Sequence, residues 1–425
     1  MKRPNYQFSR VMYLLEAALE YFISLLVTGA YLAKIAGPEG VGLSDGTVGI
    51  LSAFISLGCG FQIFALLLRN KTPVKRWVTV LHILNQGFFA LVWFTPLFSL
   101  SATAKSALFI AFLLLGHVVN NLVNPAKTNW FMSLVDDHKR GVFTANKEII
   151  SLLSGFVVTF LLALVYDGLE SAGKTTEALI VGGVSLTVLM ILHTLTLVLS
   201  DEKPVEKTEG SSLKALLADR KQTKVLFSVI GINVFWNMAH FISTPFFGSY
   251  QVNELGFSMT FVMTVLGLLY ALVRAAFSRF FGKFADRYSF VSMLNICFAV
   301  AAVAFFVNAF TVPENGKVFF TVYYTLYAVS MAGINSAAIN LIYDYVEEEH
   351  RTVALAFSQS ISGIVGFLTA TCGGVLVSWI QSEGFVLFGR NLYAQQVMSF
   401  LGFLGVLLTI LYMNLVVRKL PKRNK

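Results

Sequence analysis

Two glutamates on the first apolar stretch of the chain have the chemistry and spacing of a proton-binding site. Glu16 and Glu20 are four residues apart, so on a helix they share one face. If that helix enters a bilayer near Arg10, Glu20 lies about 15 Å deep at 1.5 Å per residue. Two carboxylates one turn apart in a partly desolvated site cannot both ionise cheaply, so we expect one to hold a proton near neutral pH. The alternative is that they only pair with a basic residue and hold helices together.

A second polar stripe, spaced by three and four residues, lies on the fourth apolar stretch. Amide side chains recognise hydroxyl and carbonyl groups, and they are satisfied in a wet cavity or between helices. The lysine of the stripe is expected at a depth similar to that of Glu16, so a contact between the two is geometrically possible. Packing polarity is the alternative, with the lysine snorkelling to the membrane surface. The candidate solute-binding residues here are Asn120, Asn121, Asn124 and Lys127.

A third stripe, in the second half of the chain, combines amides with aromatic rings. Its indole offers a stacking surface for a sugar or an aromatic group, although a packing role is equally compatible with the sequence. Pro245 follows the stripe and predicts a break in its helix. The tripeptide Phe241-Ile242-Ser243 also repeats Phe22-Ile23-Ser24 of the first stretch. The candidate solute-binding residues of this stripe are Asn233, Trp236, Asn237 and His240.

The composition requires that these stripes lie inside a membrane. Of 425 residues, 56% are hydrophobic and 13% charged, with a mean hydropathy of +0.71. A soluble domain carries about 25% charged residues. The three cysteines lie in apolar runs without metal-ligand spacing. No zinc-protease, nucleophile-elbow or phosphate-loop motif is present, so we predict neither an enzyme nor a cofactor.

Twelve stretches are long and apolar enough to span a bilayer, which takes about 20 residues. The predicted fold is therefore all-α, with two six-helix bundles at 1–200 and 223–425. Between them, residues 201–222 form a polar linker that includes a short amphipathic helix. We read the basic N-terminal stretch as part of a retained first helix. Numbered in chain order, the predicted segments are 10–34, 46–68, 76–97, 104–131, 142–166, 177–199, 223–248, 258–281, 289–311, 317–343, 352–380 and 392–417.

An internal repeat supports the division into halves. Residues 124–156 recur, diverged, at 335–367 with a constant offset of 211, and eleven of the 33 positions are identical. The identical positions include Arg140 and Arg351, and an acidic cluster precedes the arginine in both copies. A repeat of this kind is typical of secondary transporters, whose halves move against each other.

The basic residues predict the orientation of the segments. Twenty-four of the 32 lysines and arginines fall on one side of the predicted segments and five on the other. By the positive-inside rule, both termini and the central linker are cytoplasmic in the cell membrane. The net charge of +9 thus reflects topology, and no nucleic-acid partner is predicted.

The sequence after segment 8 carries a family resemblance. Residues 282–289, GKFADRYS, are similar to the cytoplasmic G-x-x-x-D-R-x-G signature of the major facilitator superfamily, with Ser289 in place of the last glycine. The loop after segment 2, LLLRNKTPVKRW, keeps the basic residues but lacks the aspartate. The resemblance implies alternating access in a twelve-helix fold, with Asp286 in a charge network that latches this loop to segment 11. The predicted gate residues are Gly282, Asp286, Arg287, Arg140 and Arg351.

These features predict a monomeric secondary active transporter whose partners are a small solute, protons and the lipid bilayer. Glu16 and Glu20 are the candidate coupling residues. The amides and tyrosines favour a polar, uncharged solute such as a sugar or glycoside. The 39 phenylalanines leave efflux of a drug or amphiphile as an alternative, and a membrane receptor that does not transport is a second one.

Overall fold

The computed structural model describes residues 6–68, 73–135, 140–203, 220–347, 350–387 and 389–420, and these are almost entirely helical. A two-stranded hairpin, Val386–Leu387 with Arg390–Asn391, precedes the last span. The α-helices of segments 1 to 6 are Gln7–Leu25 and Gly29–Ala36; Asp45–Ser52, Phe54–Gly60 and Ala65–Leu68; Val74–Phe94; Ala102–Ser133; Arg140–Ser171; and Thr175–Leu199. Those of segments 7 to 12 are Arg220–Phe241 and Phe247–Ser249; Met259–Phe261 and Leu269–Arg287; Phe290–Asn308; Gly316–Tyr345; Arg351–Glu383; and Ala394–Leu415.

The predicted twelve-span, all-α fold is confirmed. Within the described ranges, eleven helical segments are long and apolar enough to cross a membrane, and segment 1 is the twelfth if its two helices form one span. Which face is cytoplasmic stays a prediction from the charges. The amphipathic helix predicted before segment 7 lies largely outside the described residues.

Segment 1 is broken, which corrects the prediction of one continuous helix over residues 10–34. Its two helices meet at 44°, and Gly29 begins the second with φ of 56°, a conformation that favours glycine. The break leaves the carbonyl of Leu26 available, and the indole Nε1 of Trp93 donates to it at 3.0 Å. The hydroxyl of Thr28 donates to the carbonyl of Ser24 at 2.9 Å, a local bond that often bends a helix.

Segment 7 breaks at its predicted position. Its long helix ends at Phe241, and a single 3₁₀ turn, Thr244–Phe246, contains Pro245 before the helix resumes. Proline has no backbone N–H and its ring displaces the preceding turn. In both halves of the chain the helix therefore ends within two or three residues of the same aligned tripeptide, Phe-Ile-Ser.

The structure divides into two compact units. The first comprises residues 1–43, 64–208 and 257–264, and the second comprises 44–63, 209–256 and 265–425. The sequence-based boundaries at 200 and 223 stay a prediction, because residues 204–219 lie outside the described part of the chain. All the charged residues of the candidate site belong to the first unit.

In the first unit, the chain that follows segment 6 holds one end of the site-bearing helices together. Ser9 of segment 1 donates to the carboxylate of Asp201 at 2.9 Å, and Trp130 of segment 4 donates to the Asp201 carbonyl at 2.8 Å. The carboxylate of Glu202 accepts from the N–H of Val74 at 2.6 Å. A carboxylate there satisfies donors that have no partner within the helix. These bonds fix the register of segments 1, 3, 4 and 6.

In the second unit, glycines bring segment 2 unusually close to segment 11. A Cβ atom on Gly374 would lie 2.7 Å from the carbonyl oxygen of Gly46, and one on Gly363 would lie 2.4 Å from that of Ser56. The hydroxyl of Ser56 donates to the carbonyl of Gly363 at 3.0 Å. Small residues permit this approach in membrane helices, where packing rather than water exclusion drives association.

Gly374→Ala is therefore expected to lower the melting temperature of the purified protein in detergent. The new methyl group meets backbone as well as the side chain of Ile50, and overpacking of this kind costs about 1–3 kcal/mol. Gly168→Ala in segment 5 is the matched control, because a Cβ atom added there would have no neighbouring atom within 4 Å. Equal melting temperatures for the two variants would contradict the close packing.

Candidate functional site

The ammonium group of Lys127 lies between the two predicted carboxylates. Its Nζ is 2.6 Å from Oε1 of Glu16 and also forms an ion pair with Oε2 of Glu20. The side chains of Lys127 and Glu16 are 2% and 1% exposed, whereas Glu20 is 24% exposed. The contact between Glu16 and Lys127 that the sequence allowed is present, and Glu20 joins it. We call these three residues the carboxylate–lysine cluster.

The cluster contains more acidic than basic groups. If Glu16, Glu20 and Lys127 were all ionised, one negative charge would have no counterpart within the cluster. The Oε1 atom of Glu20 is buried and has no hydrogen-bond partner among the described residues. A charge in a low-dielectric site is unfavourable unless it is paired. The acid in excess therefore lies at the partly exposed end of the cluster, where Glu20 is.

A histidine that sequence reasoning did not select completes the charged site. His193 of segment 6 is fully buried, and its Nε2 lies 3.1 Å from Oε1 of Glu16. The amide Nε2 of Gln86 in segment 3 lies 2.9 Å from Nδ1 of the same ring. His82, one turn before Gln86, has its ring centroid 5.2 Å from that of His193. The sequence held one signal of this polar site: His82 and Gln86 lie four residues apart in an apolar segment, so they share one face of its helix.

The segment 4 amides have a different environment from Lys127. Asn121 donates to the carbonyl of His117 in its own helix at 3.0 Å. Asn120 and Asn124 are half-buried, and the Oδ1 atom of Asn120 has no hydrogen-bond partner in the described ranges. Lys127, predicted as a solute ligand, contacts both carboxylates, and its role in binding a solute stays a prediction. The predicted roles of the three asparagines in binding a solute stay predictions.

In the second unit, the predicted segment 7 stripe packs against tyrosines of segments 8 and 10. The rings of His240 and Tyr327 are nearly parallel, with centroids 6.0 Å apart and an interplanar angle of 9°. The Tyr327 hydroxyl lies 2.5 Å from Nδ1 of His240. Trp236 stacks on both rings, at 5.9 and 6.4 Å, and Tyr270 stacks on Tyr327 at 6.3 Å. We call these four residues the aromatic cluster.

Amide groups accompany the aromatic cluster. Asn233 donates to the hydroxyl of Ser358 at 3.1 Å, and Asn237 is half-buried. Gln251 donates to the hydroxyl of Tyr324 at 3.2 Å, a pair that the sequence did not indicate. The predicted roles of Asn233, Trp236, Asn237 and His240 in binding a solute stay predictions.

The predicted cytoplasmic gate is only partly described. Gly282 and Arg287 lie in the last turns of helix Leu269–Arg287, where the Arg287 side chain is exposed. Arg140 and Arg351 are each the first residue of a long helix, so the repeat places them equivalently. The side chains of Asp286 and Arg140 lie outside the described part of the structure. The latch stays a prediction.

In the described part of the chain, eleven spans, or twelve if the two helices of segment 1 form one, accompany a buried charge cluster, as expected of a multi-pass membrane protein. The sequence matches the family model of the Major Facilitator Superfamily over residues 11–370 and 237–425. The chain belongs to this superfamily. No curated protein sequence matches it.

Solved structures with a similar fold are transporters. The chain is similar to a mutant of the nucleoside transporter NupG, with a TM-score of 0.71, 12% identity and coverage of 96% of this chain and 99% of that one. It is similar to a D-xylose-proton symporter, with a TM-score of 0.70, 13% identity and coverage of 95% and 97%. It is also similar to a bacterial homologue of the human lysosomal transporter Spinster in an inward-facing and occupied conformation. The TM-score is 0.69 at 12% identity, and the match covers 99% of this chain and 98% of that one. At these identities the likeness concerns the fold alone.

Proposed function

We propose that this chain is a proton-coupled secondary active transporter that moves a small polar solute by alternating access. The observation that carries the proposal is the burial of Lys127 between Glu16 and Glu20. A buried site with two acids and one base changes its net charge when it gains or loses one proton. Part of the same proposal is that the chain acts as a monomer in the cell membrane, with cytoplasmic termini.

The coupling follows from the unequal positions of the two carboxylates. Glu16 is fully enclosed and shares one oxygen between Lys127 and His193, so its charge is balanced where it lies. Glu20 is partly exposed and has one oxygen without a partner among the described residues. Protonation of Glu20 leaves Lys127 paired with Glu16 alone, whereas deprotonation makes Lys127 bridge both acids. The proton therefore changes which contacts hold segment 1 to segment 4.

A solute is linked to this proton only if the two conformations differ in affinity for each of them. A movement of segment 1 relative to segment 4 alters the distance between Glu20 and Lys127. Because the ion pair stabilises the charged carboxylate, a conformation that separates the two favours proton uptake, and one that joins them favours release. Binding energy from the solute can then drive the change in one direction.

The aromatic cluster supports a sugar, glycoside or nucleoside as the solute class. Indole and phenol rings offer flat faces for the apolar side of a sugar or base ring, and the nearby amides suit hydroxyl groups. Two proteins of similar fold are named for a nucleoside and for D-xylose. An amphiphile or drug is the second candidate, because the tyrosine and phenylalanine rings of the same unit would also accommodate an apolar molecule.

The test is gradient-driven uptake into proteoliposomes that contain the purified full-length protein. A thermal-shift screen in detergent across sugars, nucleosides, peptides and drugs first selects the solute. Vesicles with an acidic exterior are expected to concentrate it, and a protonophore should collapse the accumulation. Binding without flux would indicate a receptor. Accumulation that needs a sodium gradient and ignores the pH gradient would overturn proton coupling.

A further inference from the structure

We propose that His193 is a second proton-binding group of the charged site, and that Gln86 controls its protonation by the orientation of its amide. This inference deepens the proposed function, because it concerns the same coupling site. It assigns a positioning role to Gln86, which touches His193 rather than either carboxylate.

One oxygen atom connects the two parts of the site. Oε1 of Glu16 contacts Nζ of Lys127 at 2.6 Å and Nε2 of His193 at 3.1 Å. The imidazole of His193 therefore lies in hydrogen-bonded series with the carboxylate–lysine cluster. Its exposure is 0%, so its hydrogen bonds must come from these neighbours.

The amide of Gln86 defines the protonation state of the ring. With the amide N–H donating to Nδ1 at 2.9 Å, Nδ1 is an acceptor, so Nε2 carries the proton and donates to Glu16. This is the neutral imidazole. A half-turn of the amide exchanges its nitrogen and oxygen without a change of volume. The oxygen would then accept a proton from Nδ1, and the ring would be a doubly protonated imidazolium.

Two buried groups show that the first orientation is incompletely satisfied. Oε1 of Gln86 has no hydrogen-bond partner among the described residues, and the same holds for both ring nitrogens of His82. An unsatisfied buried polar group costs about 1–3 kcal/mol. Turning the amide gives its oxygen a donor and directs its N–H₂ away from His193. Each orientation therefore leaves one atom of the amide without a partner among the described residues, and the two differ by one proton on His193.

The charges around His193 make the second arrangement favourable. Segment 1 contributes Glu16 and, one turn further, Glu20, and segment 4 contributes Lys127. Segment 3 contributes His82. The Nζ atom of Lys147 in segment 5 lies 3.3 Å from the hydroxyl of Tyr13 in segment 1, at the margin of the site. A proton on His193 balances the negative charge that the carboxylate–lysine cluster leaves uncompensated. His193 can therefore hold a proton while Glu20 is ionised, and it loses that stabilisation when Glu20 is neutral.

The proposal is tested by nuclear magnetic resonance of the full-length protein labelled with ¹⁵N-histidine, in detergent and without solute. The difference from His193→Gln identifies the signal of His193. We expect this signal to show a doubly protonated ring as the pH falls, at values where the melting temperature shows that the protein is folded. A ring that stays singly protonated over the whole folded range would overturn the proposal.

Two substitutions of Gln86 separate control of protonation from packing. Gln86→Leu removes the acceptor, and at fixed pH the ratio of doubly to singly protonated His193 is expected to fall about tenfold or more, because a hydrogen bond to a charged group is lost. Gln86→Glu places a carboxylate at the same position, and the ratio is expected to rise. A ratio unchanged in both variants would contradict the role of Gln86. Because no gradient or solute is used, this result is independent of the vesicle experiment.

Discussion

Lys127→Met is expected to destabilise the protein more than any other single substitution in the charged site. The methionine fills the volume of the lysine stem but leaves the buried carboxylate of Glu16, which is 1% exposed, without its cation. Removing one member of a buried ion pair typically costs about 3–5 kcal/mol. Thermal unfolding of the purified protein should show a markedly lower melting temperature, accompanied by a lower yield from membranes.

Two comparisons separate charge from packing in this prediction. Lys147→Met removes a half-buried lysine that contacts Tyr13, and its melting temperature is expected to stay near that of the wild type. Adding Glu16→Gln to Lys127→Met removes the more deeply buried of the two acids that have lost their cation, and it is expected to recover much of the lost stability. If the melting temperature of Lys127→Met equals that of the wild type, the ion pairs of the cluster contribute nothing to the stability of the fold.

The sequence predicted the spans and some of their special features because those are local properties. Apolar length locates each segment, proline in segment 7 marks a break, and four-residue spacing places Glu16 and Glu20 on one face. The contact between Lys127 and Glu16 could be anticipated because the depth of each residue in the membrane follows from the rise per residue of its helix. Each of these inferences uses one helix, or one helix and the membrane.

The features that the sequence did not predict depend on how helices are rotated against each other. His193 is 177 residues from Glu16 and 107 from Gln86, and nothing local requires them to meet. The break in segment 1 is compatible with burial because the indole of Trp93, 67 residues away, donates to the carbonyl that the break frees. Periodicity gives the face of a helix but not the neighbour that the face meets.

The same distinction applies to the second unit. The stripe of Trp236 and His240 follows from helical spacing, whereas its stacking on Tyr327 requires the position of segment 10. Helical spacing assigns no partner to either residue. The site therefore depends both on the polar stripes, which are set by spacing within one helix, and on the packing between helices, which is not.

Glu20→Gln is expected to abolish accumulation of the solute under an imposed pH gradient while leaving exchange of solute across the vesicle membrane measurable. Glutamine mimics a permanently protonated Glu20, so the site no longer gains and loses a proton there. The protein should remain folded, because Lys127 keeps its 2.6 Å contact with the fully buried Glu16. The readouts are gradient-driven uptake and solute counterflow in the same vesicles.

The matched control is another acid of the same unit that pairs with a lysine. Glu170 is 24% exposed, as Glu20 is, and forms an ion pair with Lys34, so Glu170→Gln removes a similar charge outside the cluster. Accumulation should survive in that variant. Glu16→Gln is expected to weaken accumulation less than Glu20→Gln, or to reduce stability if its pairing with Lys127 is mainly structural.

If vesicles of the Glu16→Gln/Glu20→Gln double variant still concentrate the solute, neither carboxylate carries the coupled proton. Sodium coupling or a different proton carrier would then have to be considered, with His193 beside the vacated acids tested first and His240 second.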